Sequence, residues 1–107
     1  MPDHIVCNLD DIDDGHSAGF TAGHTMIMII RQGNQVYAYE NSCPHIGTPL
    51  DFLPDQFLTK ERDYILCSTH GALFQIEDGR CVSGPCAGDA LRPIAAAIED
   101  GQIKISV

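Results

Sequence analysis

Short apolar or alternating runs, broken by turn residues, recur along the whole chain, and no stretch keeps a helical period for more than a few turns. The pattern predicts an all-β fold. The clearest unit begins at Thr25: an apolar run to Arg31 is followed by Gln32-Gly33-Asn34 and then by Gln35-Val36-Tyr37-Ala38-Tyr39, which reads as strand, tight turn and returning strand. Two more hairpins centre on Asp-Gly pairs. Leu73-Phe74-Gln75-Ile76 turns at Asp78-Gly79 into Arg80-Cys81-Val82, and the run from Ile94 to Ile98 turns at Asp100-Gly101 into Gln102 to Val107. Tyr64-Ile65-Leu66 reads as a short strand entering Cys67. Between His45 and Tyr64, residues 46–55 are rich in Pro and Gly without alternation, and predict an irregular excursion. Near the start, Asp10-Asp11-Ile12-Asp13-Asp14-Gly15 fits a helical turn with acidic residues at its beginning and a solvated acidic loop equally well.

Length limits this β chain to one domain, since 107 residues build one core and not two. Residues 1–107 are therefore read as a single unit. With 44% hydrophobic and 20% charged residues, disorder and fibrous repeats are both excluded as readings. The longest apolar run, Met26 to Ile30, is too short to span a bilayer, and Met1-Pro2-Asp3-His4 has neither the basic start nor the apolar stretch of a signal peptide. The expectation is a soluble, cytoplasmic protein with no membrane partner. Fifteen acidic residues against six basic ones give a formal charge of -9, which repels nucleic acid and favours a partner with a basic docking face.

Five cysteines, odd in number and in a chain read as not exported, point away from a disulfide scaffold and towards metal binding plus buried thiols. Their spacing sharpens this. Cys43-Pro44-His45 and Cys67-Ser68-Thr69-His70 each place one thiolate and one imidazole within a few residues, and together offer four ligands suited to iron or zinc. Glycine follows each pair closely, at Gly47 and Gly71, where backbone without a Cβ can fold tightly around a metal group. A structural zinc site is the plain alternative. Zinc modules, however, usually pair Cys with Cys and His with His, whereas each loop here mixes the two, and the surrounding chain has a core of its own. Cys7, Cys81 and Cys86 are expected to be reduced core thiols, with a Cys81 to Cys86 disulfide as the lesser alternative. His4, His16 and His24 have no ligand-type neighbour at useful spacing and are left out of the site.

Cys43-x-His45 with Cys67-x-x-His70 resembles the Rieske iron-sulfur family, in which two Cys bind one iron and two His the other. The resemblance runs from the hairpin before Cys43 to the last strands and includes Gly84-Pro85, similar to the proline-bearing loop that covers the cluster; residues 1–20 match only loosely. It implies packed antiparallel sheets with a small cluster-binding subdomain, approximately residues 41–86, and one [2Fe-2S] cluster as cofactor. Ile46, Pro49, Leu50 and Pro85 would then rim the cluster tip, either as a docking patch or only as a shield. The family's high-potential branch has a loop disulfide where this chain carries Thr48 and Thr69, and serine and tyrosine donors where it carries Ala72 and Phe74. Fewer donors to sulfur imply a potential near the low end of the family span, about -150 mV rather than about +300 mV. Such a potential should fall at alkaline pH as His45 or His70 deprotonates in the oxidised state.

The resemblance implies a one-electron carrier between a reductase and a terminal enzyme such as a ring-hydroxylating oxygenase, and not an enzyme itself. A Rieske oxygenase needs a second, mononuclear iron site on a separate domain, for which 107 residues leave no room. The rival within electron transfer is a small subunit of a nitrite reductase type complex. From another class, the rival is a structural zinc-binding or interaction module.

Overall fold

In the computed structural model, the structure describes residues 3–22, 25–42, 58–59, 63–66, 71–84 and 88–106. Nine strands run in chain order: β1 (Asp3–Asn8), β2 (Ser17–Ala22), β3 (Thr25–Gln32), β4 (Gln35–Glu40), β5 (Tyr64–Leu66), β6 (Leu73–Gln75), β7 (Cys81–Ser83), β8 (Pro93–Glu99) and β9 (Gln102–Ser106). They form a six-stranded sheet in the order β1-β9-β8-β4-β3-β2 and a three-stranded sheet in the order β5-β6-β7. All described pairings are antiparallel. The edge strands β1 and β2 of the large sheet approach each other, so the sheet curls towards a barrel. Among the described residues, no helix is long and apolar enough to cross a membrane.

The β3–β4 hairpin organises the packing. Ile27 and Ile29 point into the curled sheet with Ala38, Ile103 and Ile105, while Met28 and Ile30 point outward with Tyr39 onto Ile65, Phe74 and Ile76 of the small-sheet side. Buried on both faces, β3 needs no polar alternation, and this is why its sequence reads as an unbroken apolar run. Strand β8, between β9 and β4, is solvated on one face and alternates residue by residue.

Turn chemistry sets two registers as expected. Gln32 pairs with Gln35 around Gly33-Asn34, and Glu99 pairs with Gln102 around Asp100-Gly101, whose φ values of 53° and 75° fit a two-residue type I′ turn. The third hairpin differs from its prediction. Ile76 belongs to the turn, and the β6 strand ends at Gln75, whose N–H bonds the Arg80 carbonyl at 2.9 Å across a four-residue connection, 76–79. Arg80 lies outside β7 and bridges to Ala90.

The loosely read N-terminus supplies two strands of the large sheet, β1 and β2. Between them Leu9–Asp11 forms a single 3₁₀ turn, in which the Asp11 carboxylate accepts from the Asn8 N–H at 2.9 Å. The acidic stretch is thus a short helical turn, a bend at the buried Ile12 and an exposed turn at Asp13 and Asp14, so each of the two readings of residues 10–15 holds in part. The predicted excursion at 46–55 lies outside the described residues.

Candidate metal centre

Cys43, His45, Cys67 and His70 all lie outside the described residues, as do Ile46, Thr48, Pro49, Leu50, Thr69, Pro85, Cys86 and His24. What the structure contributes is the frame from which the two Cys/His segments leave. The first leaves β4. There the Glu40 N–H bonds the Arg92 carbonyl at 2.9 Å, the Asn41 N–H bonds the Met26 carbonyl at 2.7 Å, and the Ser42 N–H turns back to Glu40 at 2.9 Å. Asn41 is buried, so the strand is held up to the residue before Cys43 but one. An exposed ion pair of 3.5 Å between Arg92 and Glu40 adds little.

The second segment joins β5 to β6. Leu66 pairs with Leu73, closing the connection that carries Cys67 and His70. Entry to β5 is fixed by the Leu58–Ile65 bridge and by Thr59, whose N–H bonds the Tyr64 carbonyl at 2.9 Å and whose hydroxyl bonds Asp63 at 2.6 Å. Leu73 also pairs with Ser83, so β7 ends at the same end of the small sheet. The next residue, Gly84, has φ +101°, and a Cβ built there would stand 2.7 Å from the Ala72 Cα. Only glycine lets the chain before Pro85 approach so closely to the backbone two residues after His70. Register and this contact therefore bring Ala72 and Gly84 together at one end of the small sheet.

Ala72 and Phe74 are wholly buried at that end. Of the remaining cysteines, Cys81 is buried and free, its thiol donating to the Ser83 carbonyl at 3.3 Å, and Cys7 is half-buried and free. Burial, with the Asp11 carboxylate nearby, pushes the Cys7 thiol above its ordinary value, so it is the neutral form that stands there. His16 is exposed and His4 half-buried on β1. Among the described residues, no three His, Cys, Asp or Glu side chains gather to hold a metal. Two features of the frame were not foreseen: the Gly84–Ala72 contact and a hydrogen bond from Tyr39 to Ile76. Both join residues far apart in sequence, and no local pattern marks them.

Comparison with known proteins decides the family. Residues 3–98 match the Rieske [2Fe-2S] domain. The chain belongs to the Rieske family. Its cofactor is one [2Fe-2S] cluster, which sets the zinc reading aside, and the donor set of two thiolates and two imidazoles fits that group. The match takes in most of the N-terminal stretch that the sequence linked only loosely to the family. The chain is 26% identical over 100 residues to the ferredoxin component of an alkene monooxygenase system from Xanthobacter autotrophicus, covering 94% of this chain and 77% of that one. Among solved structures it is similar to the ferredoxin of carbazole 1,9a-dioxygenase from Nocardioides aromaticivorans, with a TM-score of 0.83 at 24% identity over 99% of this chain and 98% of that one. A chain from the complex of reduced oxygenase and oxidized ferredoxin in carbazole 1,9a-dioxygenase matches with a TM-score of 0.79 at 25% identity, over 97% and 92% of the two chains.

Proposed function

We infer that this Rieske protein is a one-electron carrier in which Cys43 and Cys67 hold one iron and His45 and His70 the other. The observation that carries the reading is the pair of mixed Cys/His segments falling inside the family match. The frame supports it, since the ends of the second segment converge with Gly84 at one end of the small sheet. The bound cluster supplies a centre that takes up and releases a single electron. With neutral imidazoles the oxidised group and its two thiolates carry no net charge, and reduction leaves one negative charge for the protein to stabilise. Residues 1–107 act as one domain, with residues 41–86 as its cluster-binding part.

A similar ferredoxin serves an alkene monooxygenase system, and another chain of this fold comes from a complex of oxygenase and ferredoxin. These support a reductase as donor and a terminal oxygenase as acceptor, with substrate chemistry left to the oxygenase. The free thiols of Cys7 and Cys81 support a reducing compartment, the cytoplasm.

An EPR-monitored redox titration of anaerobically purified protein tests the reading. The expected result is a reduced-state signal of the mixed His/Cys type with a midpoint of about -150 mV, the low end of the Rieske span. Replacing Cys43, His45, Cys67 or His70 singly with Ala should abolish it. No iron signal at any potential would sink the carrier, and a midpoint well above zero would sink the low-potential assignment.

A further inference from the structure

Tyr39 stands where the two sheets meet. It lies on β4, is only 2% exposed, and packs among Met28, Ile65, Phe74 and Ile76. Its hydroxyl donates to the Ile76 carbonyl at 2.5 Å. Its ring covers Gly79, where an added Cβ would stand 2.8 Å from Tyr39 Cε1 and 3.3 Å from Leu91 Cβ. Gly79 has φ +73°, its carbonyl accepts from the Leu91 N–H at 2.8 Å, and its own N–H returns to Gln75 at 2.8 Å. One side chain of the large sheet thus grips the β6–β7 turn at its first residue and at its last.

The two ends of this clasp lead to the two ligand segments. Cys43 follows Tyr39 by four positions in sequence, three beyond the last residue of β4, Glu40. From Ile76 the chain runs back through β6 to Ala72, two residues in sequence from His70. On the ligand assignment above, each iron takes one residue from each segment, Cys43 with Cys67 and His45 with His70. A slip of one segment against the other would therefore distort both irons at once, and metal–ligand distances tolerate only about 0.2 Å of error. Nothing in either segment's local sequence can set that relative placement.

We propose that Tyr39 is a positioning residue for the cluster: by clasping turn 76–79 through Ile76 and Gly79, it fixes the first ligand segment, which leaves its own strand, against the second, which leaves β6. The inference rests on the assignment of Cys43, His45, Cys67 and His70 as ligands. Tyr37 is the internal contrast. It lies on the same strand and also packs against this core, but its hydroxyl bonds the neighbouring Gln35 side chain at 3.1 Å.

The test compares Tyr39→Phe and Tyr37→Phe with the parent in full-length, cluster-loaded protein, by EPR, by redox titration and by the rate of cluster loss to a chelator. Tyr39→Phe should keep its β circular dichroism but show displaced g-values and midpoint, and lose its cluster about fivefold faster, the factor given by one net buried hydrogen bond of roughly 1 kcal/mol. Gly79→Ala, which pushes the same ring from the other side, should displace the g-values too, while Tyr37→Phe should match the parent. Loss of the cluster from a Tyr39→Phe chain that remains folded would also support the assignment. Unshifted g-values in Tyr39→Phe, an equal shift in Tyr37→Phe, or joint loss of fold and cluster in Tyr39→Phe would overturn it. A parent protein without the mixed-ligand signal would instead overturn the ligand assignment, so the two failures are separable.

Discussion

Ala72 and Phe74 are buried on the small sheet just after the second Cys/His segment in sequence, and neither side chain can donate a hydrogen bond. A donor there would favour the reduced cluster, which carries the extra negative charge. Ala72→Ser should therefore raise the midpoint, by about 59 mV if the new bond amounts to a tenfold factor for one electron. An unchanged or lower midpoint in a redox titration would show that the hydroxyl does not reach the cluster's field. That neither residue offers a donor was legible from its type alone. Tyr39 was not, because a tyrosine in an alternating strand reads as ordinary core and its partner carbonyl lies 37 residues away. Burial first, then the nearby Asp78 and Glu77 carboxylates and Tyr37, push its hydroxyl up to about 12. Against an ordinary value of about 10, the folded protein holds this proton more tightly than the unfolded chain does. The stability so conferred is complete below pH about 10 and is lost as pH rises towards about 12. Urea unfolding across that window should weaken steeply in the parent and less steeply in Tyr39→Phe; equal slopes would mean that Tyr39 ionises as freely folded as unfolded.

At the level of elements, legibility followed how local each cause is. The hairpins at 32–35 and 99–102 were read correctly because a two-residue turn with glycine specifies its own register. The Asp78-Gly79 pair promised the same and instead closes a four-residue connection, because Gly79 packs beneath Tyr39 and bonds back to Gln75. Strands β1 and β2 escaped notice for different reasons. β2 reads Ser-Ala-Gly-Phe-Thr-Ala, too small and irregular for alternation, and β1 shifts register between Ile5 and Cys7. The link between them depends on one distant residue, Arg31, whose side chain is 16% exposed. Its guanidinium donates to the carbonyls of Ile12 at 2.8 Å, Gly33 at 2.8 Å and Leu9 at 3.3 Å, while the Asp14 carboxylate accepts from the Gly33 N–H at 2.7 Å. Only a forked planar cation can serve three carbonyls this way. Arg31→Ala should cost about 1–3 kcal/mol, the cost of leaving part-buried carbonyls unpaired, and lower the urea midpoint at constant m. Arg31→Lys should recover only part of it, and full recovery would mean that the positive charge alone matters.

For the molecule as a whole, the β3–β4 wall is shared by two cores, one inside the curled sheet and one beneath the small sheet. That arrangement explains why the Cys/His motif could be read from sequence while the frame around it could not. Each Cys/His pair is local in sequence, whereas the strands from which the two segments leave, β4 and the β5–β6 pair, meet only through packing across this wall. Charge is a property of the same scale. The formal balance of -9 leaves a field that no single ion pair relieves, since the described pairs of Arg31 with Asp10, Arg92 with Glu40 and Lys104 with Glu99 are each solvent-exposed on at least one side. A protein of this sign should be drawn to a basic partner face from a distance, and salt should shorten that reach, from about 30 Å at 0.01 M to about 3 Å at 1 M. Electron delivery to its terminal partner, followed by stopped flow below saturation, should therefore slow by on the order of tenfold as ionic strength rises through this range. The bimolecular rate constant should fall while the first-order rate within the complex holds. A bimolecular rate indifferent to salt, or rising with it, would mean that contact depends on apolar surface near the cluster tip rather than on the acidic field.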